Sequence, residues 1–213
     1  MKVVVIGATG STGHFLMKEL IANPSVTEVV ALVRKSVDFG SAKVTCYMVD
    51  FSDTESWKEL VAGDAAFSCL GTTLKDAGSK DKQWIIDYDY QFLFAKAAKE
   101  NGVKYFGLVS SVGASTKSMI FYSRMKGQLE DDVVKLNLSH LLILRPGMLN
   151  RPNTERTSEK LTLKVITFLN RLGILNSQKP LLTSDLAKVL MTETLANKDS
   201  VKIIEGQKIL KHL

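Results

Sequence analysis

A glycine-rich turn near the start of the chain constrains its fold more than any other feature. Gly7, Gly10 and Gly13 follow the apolar run 3–6 and precede a segment whose apolar residues have helical spacing. A strand, a tight turn and a helix in this order present unpaired backbone N–H groups and the helix dipole to an anion. Glycines permit the tight turn, the close approach of a phosphate and the packing of helix on strand. The motif predicts a pyrophosphate site; a tight turn without a ligand is the alternative.

Short apolar runs alternate with segments of helical periodicity along the rest of the chain. Unbroken apolar runs are typical of strands that helices cover on both faces. With right-handed crossovers, this alternation predicts an α/β fold, a Rossmann-type doubly wound parallel sheet with helices on both faces. The predicted strands are 2–6, 29–33, 44–49, 65–70, 106–110 and 141–144, and the longer predicted helices include 83–99 and 119–136.

The length of 213 residues favours one domain, 1–213, without repeats or linkers. The alternating pattern weakens after Arg145-Pro146-Gly147. Helices near 159–172 and 184–195 and a late strand at 201–205 are expected to form a small substrate-side cap, to which 148–200 contributes.

The net charge of +6 raises the question of nucleic-acid binding. The lysines are spread along the whole chain, whereas nucleic-acid binding requires a cluster, so we expect no nucleic-acid partner. A field that attracts a polyphosphate cofactor explains the excess. The acidic run Glu130-Asp131-Asp132 is interpreted as a solvated helix face.

Cellular location is predicted from the cysteines and the N-terminus. Cys46 and Cys69 lie in apolar runs without metal-ligand spacing, which predicts free thiols, a reducing compartment and no metal site. The chain begins directly with a strand, which predicts that no signal peptide precedes the fold. No apolar run approaches the roughly 20 residues that span a bilayer. These features predict a cytoplasmic protein without a membrane span.

Arg34 and Lys35 follow the second predicted strand, where the adenosine ribose of a dinucleotide is expected. An acidic residue there favours NAD, whereas an arginine pairs with a 2′-phosphate and favours NADP, with Lys35 assisting. A solvent-facing arginine is the alternative. Asp50 and Phe51 end the third strand and are placed beside the adenine.

Tyr122 and Lys126 are four residues apart on a predicted helix and therefore share one face. A lysine cation stabilises a phenolate and lowers the pKa of the phenol from its usual value near ~10. Such a pair donates a proton to a carbonyl oxygen or removes one from an alcohol. Ser111, at the end of the fifth strand, is expected to hydrogen-bond the same oxygen.

The order of these motifs resembles the short-chain dehydrogenase/reductase superfamily. Within it, 69–73 (CLGTT), 110–114 (SSVGA), Lys126-Gly127 and 145–147 (RPG) closely resemble the Tat-interacting oxidoreductase family, whose members are small, atypical and have an NADP-binding fold. The resemblance implies that Ser111, Tyr122 and Lys126 form the catalytic set and that Lys126 also holds the nicotinamide ribose. It also implies which residues contact the cofactor. The pyrophosphate is contacted by Gly7, Thr9, Gly10, Ser11, Thr12 and Gly13, and the 2′-phosphate by Arg34. The adenosine half is lined by Leu70, Gly71 and Thr72, the nicotinamide is bordered by Pro146 and Gly147, and Ser110 is a further cofactor contact.

One catalytic residue of many superfamily members has no clear equivalent. An asparagine stands in the helix before the fifth strand of those proteins, whereas Asp87 or Asp89 falls in that region here. The proton-relay step is therefore left open between these two residues.

Three functions remain compatible with these motifs. The leading hypothesis is an NADP-dependent oxidoreductase that moves hydride between the cofactor and a small carbonyl or alcohol substrate. The second is a non-catalytic, redox-sensing NADP-binding protein that acts through a protein partner, because fold alone does not settle function. The third is a flavin- or quinone-type reductase that needs no tyrosine.

Overall fold

The computed structural model, which describes residues 1–150 and 180–213, contains a central sheet of seven parallel strands. Two short strands pair with each other outside this sheet. In chain order the strands are β1 (Lys2–Ile6), β2 (Glu28–Val33), β3 (Val44–Met48), β4 (Ala65–Ser68), β5 (Tyr105–Val109), β6 (His140–Arg145), β7 (Leu149–Asn150), β8 (Leu181–Leu182) and β9 (Val201–Glu205). The spatial order in the main sheet is β3-β2-β1-β4-β5-β6-β9. The order therefore reverses between β1 and β4, which is the point where sheets of this kind bind ligands.

Helices cover both faces of the sheet. They are α1 (Ser11–Ala22), α2 (Leu74–Ala77), α3 (Lys80–Trp84), α4 (Tyr90–Glu100), α5 (Phe121–Lys135) and α6 (Thr183–Ala196). Single 3₁₀ turns occupy Thr54–Ser56 and Lys58–Leu60, and a longer one Gly206–His212. Along β1, alternate side chains enter opposite cores: Val3 and Val5 pack towards α1 and α6, Val4 and Ile6 towards α4 and α5. The predicted doubly wound parallel sheet is confirmed.

The helix predicted over 83–99 has three parts. Between α3 and α4 the chain makes one π-helical turn, Ile85–Asp89. Polar side chains on the inner side of this region, Gln83, Asp87 and Gln91, are buried. Such turns widen a helix locally and are frequent at functional sites.

The C-terminal part of the expected cap belongs to the main core. The face of α6 that carries Leu186, Val189 and Leu190 is buried in the same cluster as β1 and α1. The strand β9 extends the main sheet and pairs in parallel with β6. Residues 183–205 therefore belong to the main fold, while a cap formed by the rest of 148–200 stays a prediction. The helix expected near 159–172 lies outside the described residues.

Within 1–150 and 180–213, no helix combines the length and apolar character needed to cross a bilayer. The same residues contain no cluster of three metal-binding side chains. Both cysteines are free thiols.

Candidate active site

The turn between β1 and α1 is built by two glycines in contact. Gly7 has a φ of 74°, and a Cβ there would lie 2.5 Å from the backbone nitrogen of Leu70. A Cβ on Gly13 would lie 2.0 Å from the carbonyl oxygen of Gly7. Gly10 precedes the first residue of α1 and has no side chain to cap the helix. The first-turn N–H groups of α1 therefore face outward, as a phosphate site requires.

A cavity of about 520 Å³ opens from this turn across the carboxyl ends of the strands. It continues to the first residues of α5. Its lining includes most of the predicted site residues: Gly10, Ser11, Thr12, Arg34, Leu70, Gly71, Thr72, Ser110, Tyr122, Lys126 and Pro146, together with Cys69, Thr73, Asp76, Asp87, Val109 and Leu149. Burial raises the pKa of Cys69 to about 12, so this thiol stays protonated at neutral pH.

Arg34 lies where the cavity meets two smaller depressions. One, of about 90 Å³, is lined by Gly7 and Thr9, and the other by Asp50 and Phe51. Arg34 lines both of them as well as the main cavity. An exposed guanidinium at this junction matches the place predicted for a 2′-phosphate.

The two residues predicted beside the adenine differ in their environments. Phe51 is buried against Trp57 and Tyr90. The carboxylate of Asp50 accepts hydrogen bonds from the backbone N–H and the hydroxyl of Ser52, which lower the pKa of Asp50. Asp50 is thus engaged in a turn at the edge of the depression.

Tyr122 and Lys126 lie one helical turn apart on α5, and both line the cavity. The Lys126 ammonium is buried, 3.5 Å from the carbonyl oxygen of Val109 and 3.8 Å from Asp87 Oδ1. Burial lowers the pKa of Lys126, while the nearby Asp87 and Glu130 oppose this shift. The structure therefore places a phenol and a buried ammonium on one wall of the cavity.

Asp87, rather than Asp89, lies in the cavity wall. Its Oδ2 accepts a hydrogen bond of 2.9 Å from the backbone N–H of Thr72, whereas its buried Oδ1 has no hydrogen-bond partner. Burial raises the pKa of Asp87, and the Lys126 ammonium opposes that shift. Asp89 does not line the cavity. Of the two aspartates, Asp87 is thus the one that the fold places in the cavity wall, and its part in a proton relay stays a prediction.

Of the two serines expected at the cofactor site, Ser110 lines the cavity and Ser111 does not. Ser110 lines the cavity and its hydroxyl donates a hydrogen bond to Glu130 Oε1. The Ser111 hydroxyl lies 3.4 Å from the carbonyl oxygen of Val112, and this side chain is not among the residues lining the cavity. Of the two serines after β5, Ser110 is therefore the one that shares the cavity wall with Tyr122.

Glu130 is not part of a solvated helix face, as its acidic run had suggested. It is 3% exposed and lies on the α5 face that carries Lys126. The Arg145 Nε atom lies 3.0 and 3.1 Å from the two oxygens of Glu130, forming a charge-assisted pair. The signal in the sequence was the spacing, because Tyr122, Lys126 and Glu130 recur every four residues.

Besides Ser111, three further predicted residues lie outside the lining of these cavities. Lys35 is exposed next to Arg34. Gly147 follows Pro146, and a Cβ there would contact nothing within 4 Å. Gly13 packs against Gly7 and does not face the cavity, so it contributes to the shape of the turn instead of contacting a ligand.

The site fits a dinucleotide in its shape and in its polar groups. The glycine turn leaves helix N–H groups open for the phosphates. In the cavity wall, the buried Asp87 Oδ1 lies 3.8 Å from the Lys126 ammonium but accepts no hydrogen bond, so it can accept one from a ligand hydroxyl.

Sequence comparisons agree with this geometry. Residues 7–168 match the model of a family described as NAD(P)H-binding. The chain is 33% identical over 223 residues to "Protein FMP52, mitochondrial" of Candida albicans, covering 99% of this chain and 97% of the relative. It is 34% identical over 218 residues to the protein of that name in Eremothecium gossypii, covering 99% and 96%. The resemblance noted in the sequence is thus confirmed at the level of an NAD(P)H-binding family, while these relatives are named FMP52.

The expected cytoplasmic location is wrong. The relatives from Candida albicans and Saccharomyces cerevisiae are both named as mitochondrial proteins, the latter 37% identical over 164 residues and covering 75% of this chain and 69% of the relative. The prediction was based on the two free cysteines and on the apolar strand at the N-terminus. Neither feature distinguishes a cytoplasmic protein from a mitochondrial one.

Solved structures share the fold. The oxidoreductase ylbE from Lactococcus lactis superposes with a TM-score of 0.70 at 20% identity, covering 96% of this chain and 90% of that one. The Bordetella bronchiseptica enzyme WbmG in complex with NAD and UDP gives a TM-score of 0.72 at 13% identity, covering 97% and 72%. From its glycine turn, its sheet and these matches, the chain belongs to the NAD(P)H-binding family and, within it, to the proteins named FMP52.

Proposed function

We propose that this protein is an NADP-dependent oxidoreductase that transfers hydride between the nicotinamide and a small carbonyl or alcohol substrate. One observation carries the proposal: Tyr122 and Lys126 line the same cavity as the glycine turn and Arg34. A phenol, a buried ammonium and a phosphate site in one cleft suit proton transfer next to a dinucleotide.

The residues that would hold the cofactor follow the length of the cavity. The N–H groups at the start of α1 take the pyrophosphate, with Thr9, Ser11 and Thr12 beside it. Arg34, assisted by Lys35, takes the 2′-phosphate, which favours NADP over NAD. Leu70, Gly71 and Thr72 lie along the adenosine half, and Pro146 and Gly147 lie towards the nicotinamide.

When bound, the nicotinamide supplies or accepts the hydride. Tyr122 donates a proton to the carbonyl oxygen during reduction and removes it from the alcohol during oxidation. The Lys126 ammonium, on the same helix and lining the same cavity, supplies the positive charge that stabilises the phenolate. Ser110 lies in the cavity wall, whereas the Ser111 hydroxyl is directed to Val112. To polarise the substrate oxygen, the Ser110 hydroxyl turns its proton from Glu130 to the substrate.

A more specific family assignment and a cellular location are also proposed for this protein. The motifs at 69–73, 110–114 and 145–147 support an atypical short-chain dehydrogenase/reductase of the Tat-interacting oxidoreductase type. The names of the relatives support action in or on mitochondria.

A non-catalytic NADP-binding regulator is the second candidate, and the serines favour it. Ser111 stands outside the cavity, and the Ser110 hydroxyl is already engaged by Glu130. A site with a cofactor cleft and an occupied serine suits binding without turnover.

An activity assay distinguishes the oxidoreductase from the non-catalytic regulator. The purified protein is incubated with NADPH and a panel of aldehydes, ketones and quinones, and consumption of NADPH is measured. We expect Tyr122→Phe to lower kcat by at least about 100-fold, because the general acid is lost. Its Kd for NADPH should stay within about threefold, because no phosphate contact changes. The matched control Tyr47→Phe removes the hydroxyl of an exposed tyrosine on β3 and should leave kcat unchanged. Full turnover by Tyr122→Phe contradicts the catalytic assignment, and absence of saturable NADPH binding by the wild type contradicts both candidates.

A further inference from the structure

Five charged side chains are buried or half-buried where α5 meets the strand ends. Glu130 is paired with Arg145 through two contacts near 3 Å, and Arg145 also lies 3.4 Å from Glu205. This arrangement neutralises the Glu130 carboxylate. The remaining pair is Lys126 with Asp87, 3.8 Å apart and 2% and 0% exposed at their side chains. That separation is too long for a hydrogen bond.

The Asp87 carboxylate joins two parts of the site. Its Oδ2 holds the backbone N–H of Thr72, in the loop that follows β4. Its Oδ1 faces Lys126 and lies so close to Gly71 that a Cβ there would be 3.2 Å away. One carboxylate therefore contacts both the loop along the adenosine half and the ammonium on α5.

The backbone around Asp87 leaves only its side chain available to the cleft. The Gln91 side chain donates a 2.8 Å hydrogen bond to the Asp87 carbonyl oxygen. Gln91 is itself held by Ser68 at the end of β4, through a bond of 2.9 Å. The π-helical turn thus presents the carboxylate, rather than the main-chain carbonyl, to Lys126.

We propose that Asp87 is a positioning residue, whose carboxylate holds the Lys126 ammonium in the cavity wall and ties it to the Thr72 loop. This inference rests on the proposed function, in which Lys126 assists Tyr122. A carboxylate is needed because a buried ammonium without a counter-charge loses its proton or destabilises the fold. An asparagine keeps the hydrogen bond to Thr72 but removes the charge.

Charged and titratable groups around Lys126 set the direction of the pH effect. Asp87 faces it from the π-helical turn, and Tyr122 and Glu130 lie on its own helix. Arg145 and Glu205 act through Glu130 from β6 and β9. Removal of the Asp87 charge leaves Glu130, which is paired with Arg145, as the remaining anion that supports the Lys126 charge, so the pKa of Lys126 falls further.

The variant Asp87→Asn tests the role in turnover. We expect kcat to fall by about 10-fold or more while the KM for NADPH stays within about threefold, because the phosphate contacts are untouched. The alkaline limb of the rate profile should move to lower pH by about one unit, because Lys126 deprotonates earlier. The matched control Asp89→Asn, two residues away and outside the cavity lining, should change neither kcat nor the profile. A wild-type profile for Asp87→Asn in an active enzyme overturns the inference and leaves the proposed function standing.

A second measurement does not depend on turnover. Thermal unfolding of the protein without ligand is followed from about pH 6 to about pH 9 for the wild type, Asp87→Asn, Lys126→Met and the double variant. A lysine whose pKa is lower in the folded state than in the unfolded state destabilises the protein at pH values below the unfolded-state pKa. This loss of stability grows as pH falls and becomes constant below the folded-state pKa. We therefore expect the Tm deficit of Asp87→Asn to shrink as pH rises, and to disappear in the Lys126→Met background.

The outcomes separate the two proposals. An equal Tm deficit for Asp87→Asn in both backgrounds, at every pH, overturns the pairing. If Asp87→Asn alone does not fold, a folded double variant supports the pairing, and an unfolded one contradicts it. If the wild type shows no NADPH binding, the proposed function fails while these melting curves still decide whether Asp87 holds Lys126.

Discussion

Gly13 packs against the Gly7 carbonyl group so closely that a Cβ on Gly13 would lie 2.0 Å from the oxygen and 2.8 Å from the carbon. The third glycine of the motif therefore serves the contact between α1 and the turn after β1. The Gly10 N–H donates a 2.9 Å hydrogen bond to the same Gly7 oxygen. The shape of the phosphate turn thus depends on a residue that does not line the cavity.

Gly13→Ala tests this contact. A methyl group cannot fit against backbone atoms without displacing α1, so we expect the free energy of unfolding to fall by about 3 kcal/mol or more. Urea unfolding measures this loss. Gly147→Ala is the stability control, since its Cβ meets nothing within 4 Å, and it should change the free energy by less than about 0.5 kcal/mol. Equal stabilities for the two variants would contradict the close packing.

Arg34→Ala tests the choice between the two cofactors. Loss of a charge-assisted contact to a 2′-phosphate costs about 1.5–3 kcal/mol, which corresponds to a rise in the Kd for NADPH of about 10- to 100-fold. The Kd for NADH should change less than about threefold, because NADH lacks that phosphate. Isothermal titration calorimetry with both cofactors makes NADH the internal control. A parallel loss for both would show that Arg34 does not read the 2′-phosphate.

Asp132, on α5, accepts several hydrogen bonds that make the stability of the protein depend on pH in the acid range. Its carboxylate accepts bonds of 2.7–2.8 Å from Tyr88, Gln128 and Lys135. Partial burial raises the pKa of Asp132, but these bonds outweigh burial and lower it to about 2. A lowered folded-state pKa stabilises the protein above the unfolded pKa, and this stability is lost as pH falls towards about 2.

Asp132→Asn should therefore lower the free energy of unfolding by about 1–2 kcal/mol at neutral pH, with little difference from the wild type near pH 2. Urea unfolding at a series of pH values measures this trend. The exposed neighbour gives the control Asp131→Asn, expected to have an effect below about 0.5 kcal/mol. A deficit that stays constant down to pH 2 would rule out the carboxylate as its origin.

Local pattern was sufficient for the strands. The runs 2–6 and 201–205 form strands with the predicted ends, and the ends of the other predicted strands differ by no more than two residues, whereas the short strands β7 and β8 were not predicted. Period-2 burial and turn glycines act over a few residues, so they are visible in the chain itself. The place of β9 was not predictable in this way, because Val201–Glu205 pairs with β6, a strand far from it in the sequence.

The candidate site also contains some residues that the sequence alone predicted and others whose positions only the fold decided. Tyr122 and Lys126 share a helix, so their spacing predicted that they lie together. Asp87 was one of two equivalent choices in the sequence, and the π-helical turn decided which of them enters the wall. Glu130 was assigned to solvent because its neighbours in the sequence are acidic, whereas Arg145 from β6 holds it inside.

By itself, the sequence determined the glycine turn and the helix that carries Tyr122 with Lys126, since each depends on contacts between near neighbours in the chain. It also predicted the parallel sheet, because unbroken apolar runs require cover on both faces. Tertiary structure alone decided which charges are buried together and which serine faces the cavity. Desolvation and ion pairing depend on groups that distant elements bring together. For that reason Asp87 and Lys126 acquire their relationship only when the π-helical turn packs on α5.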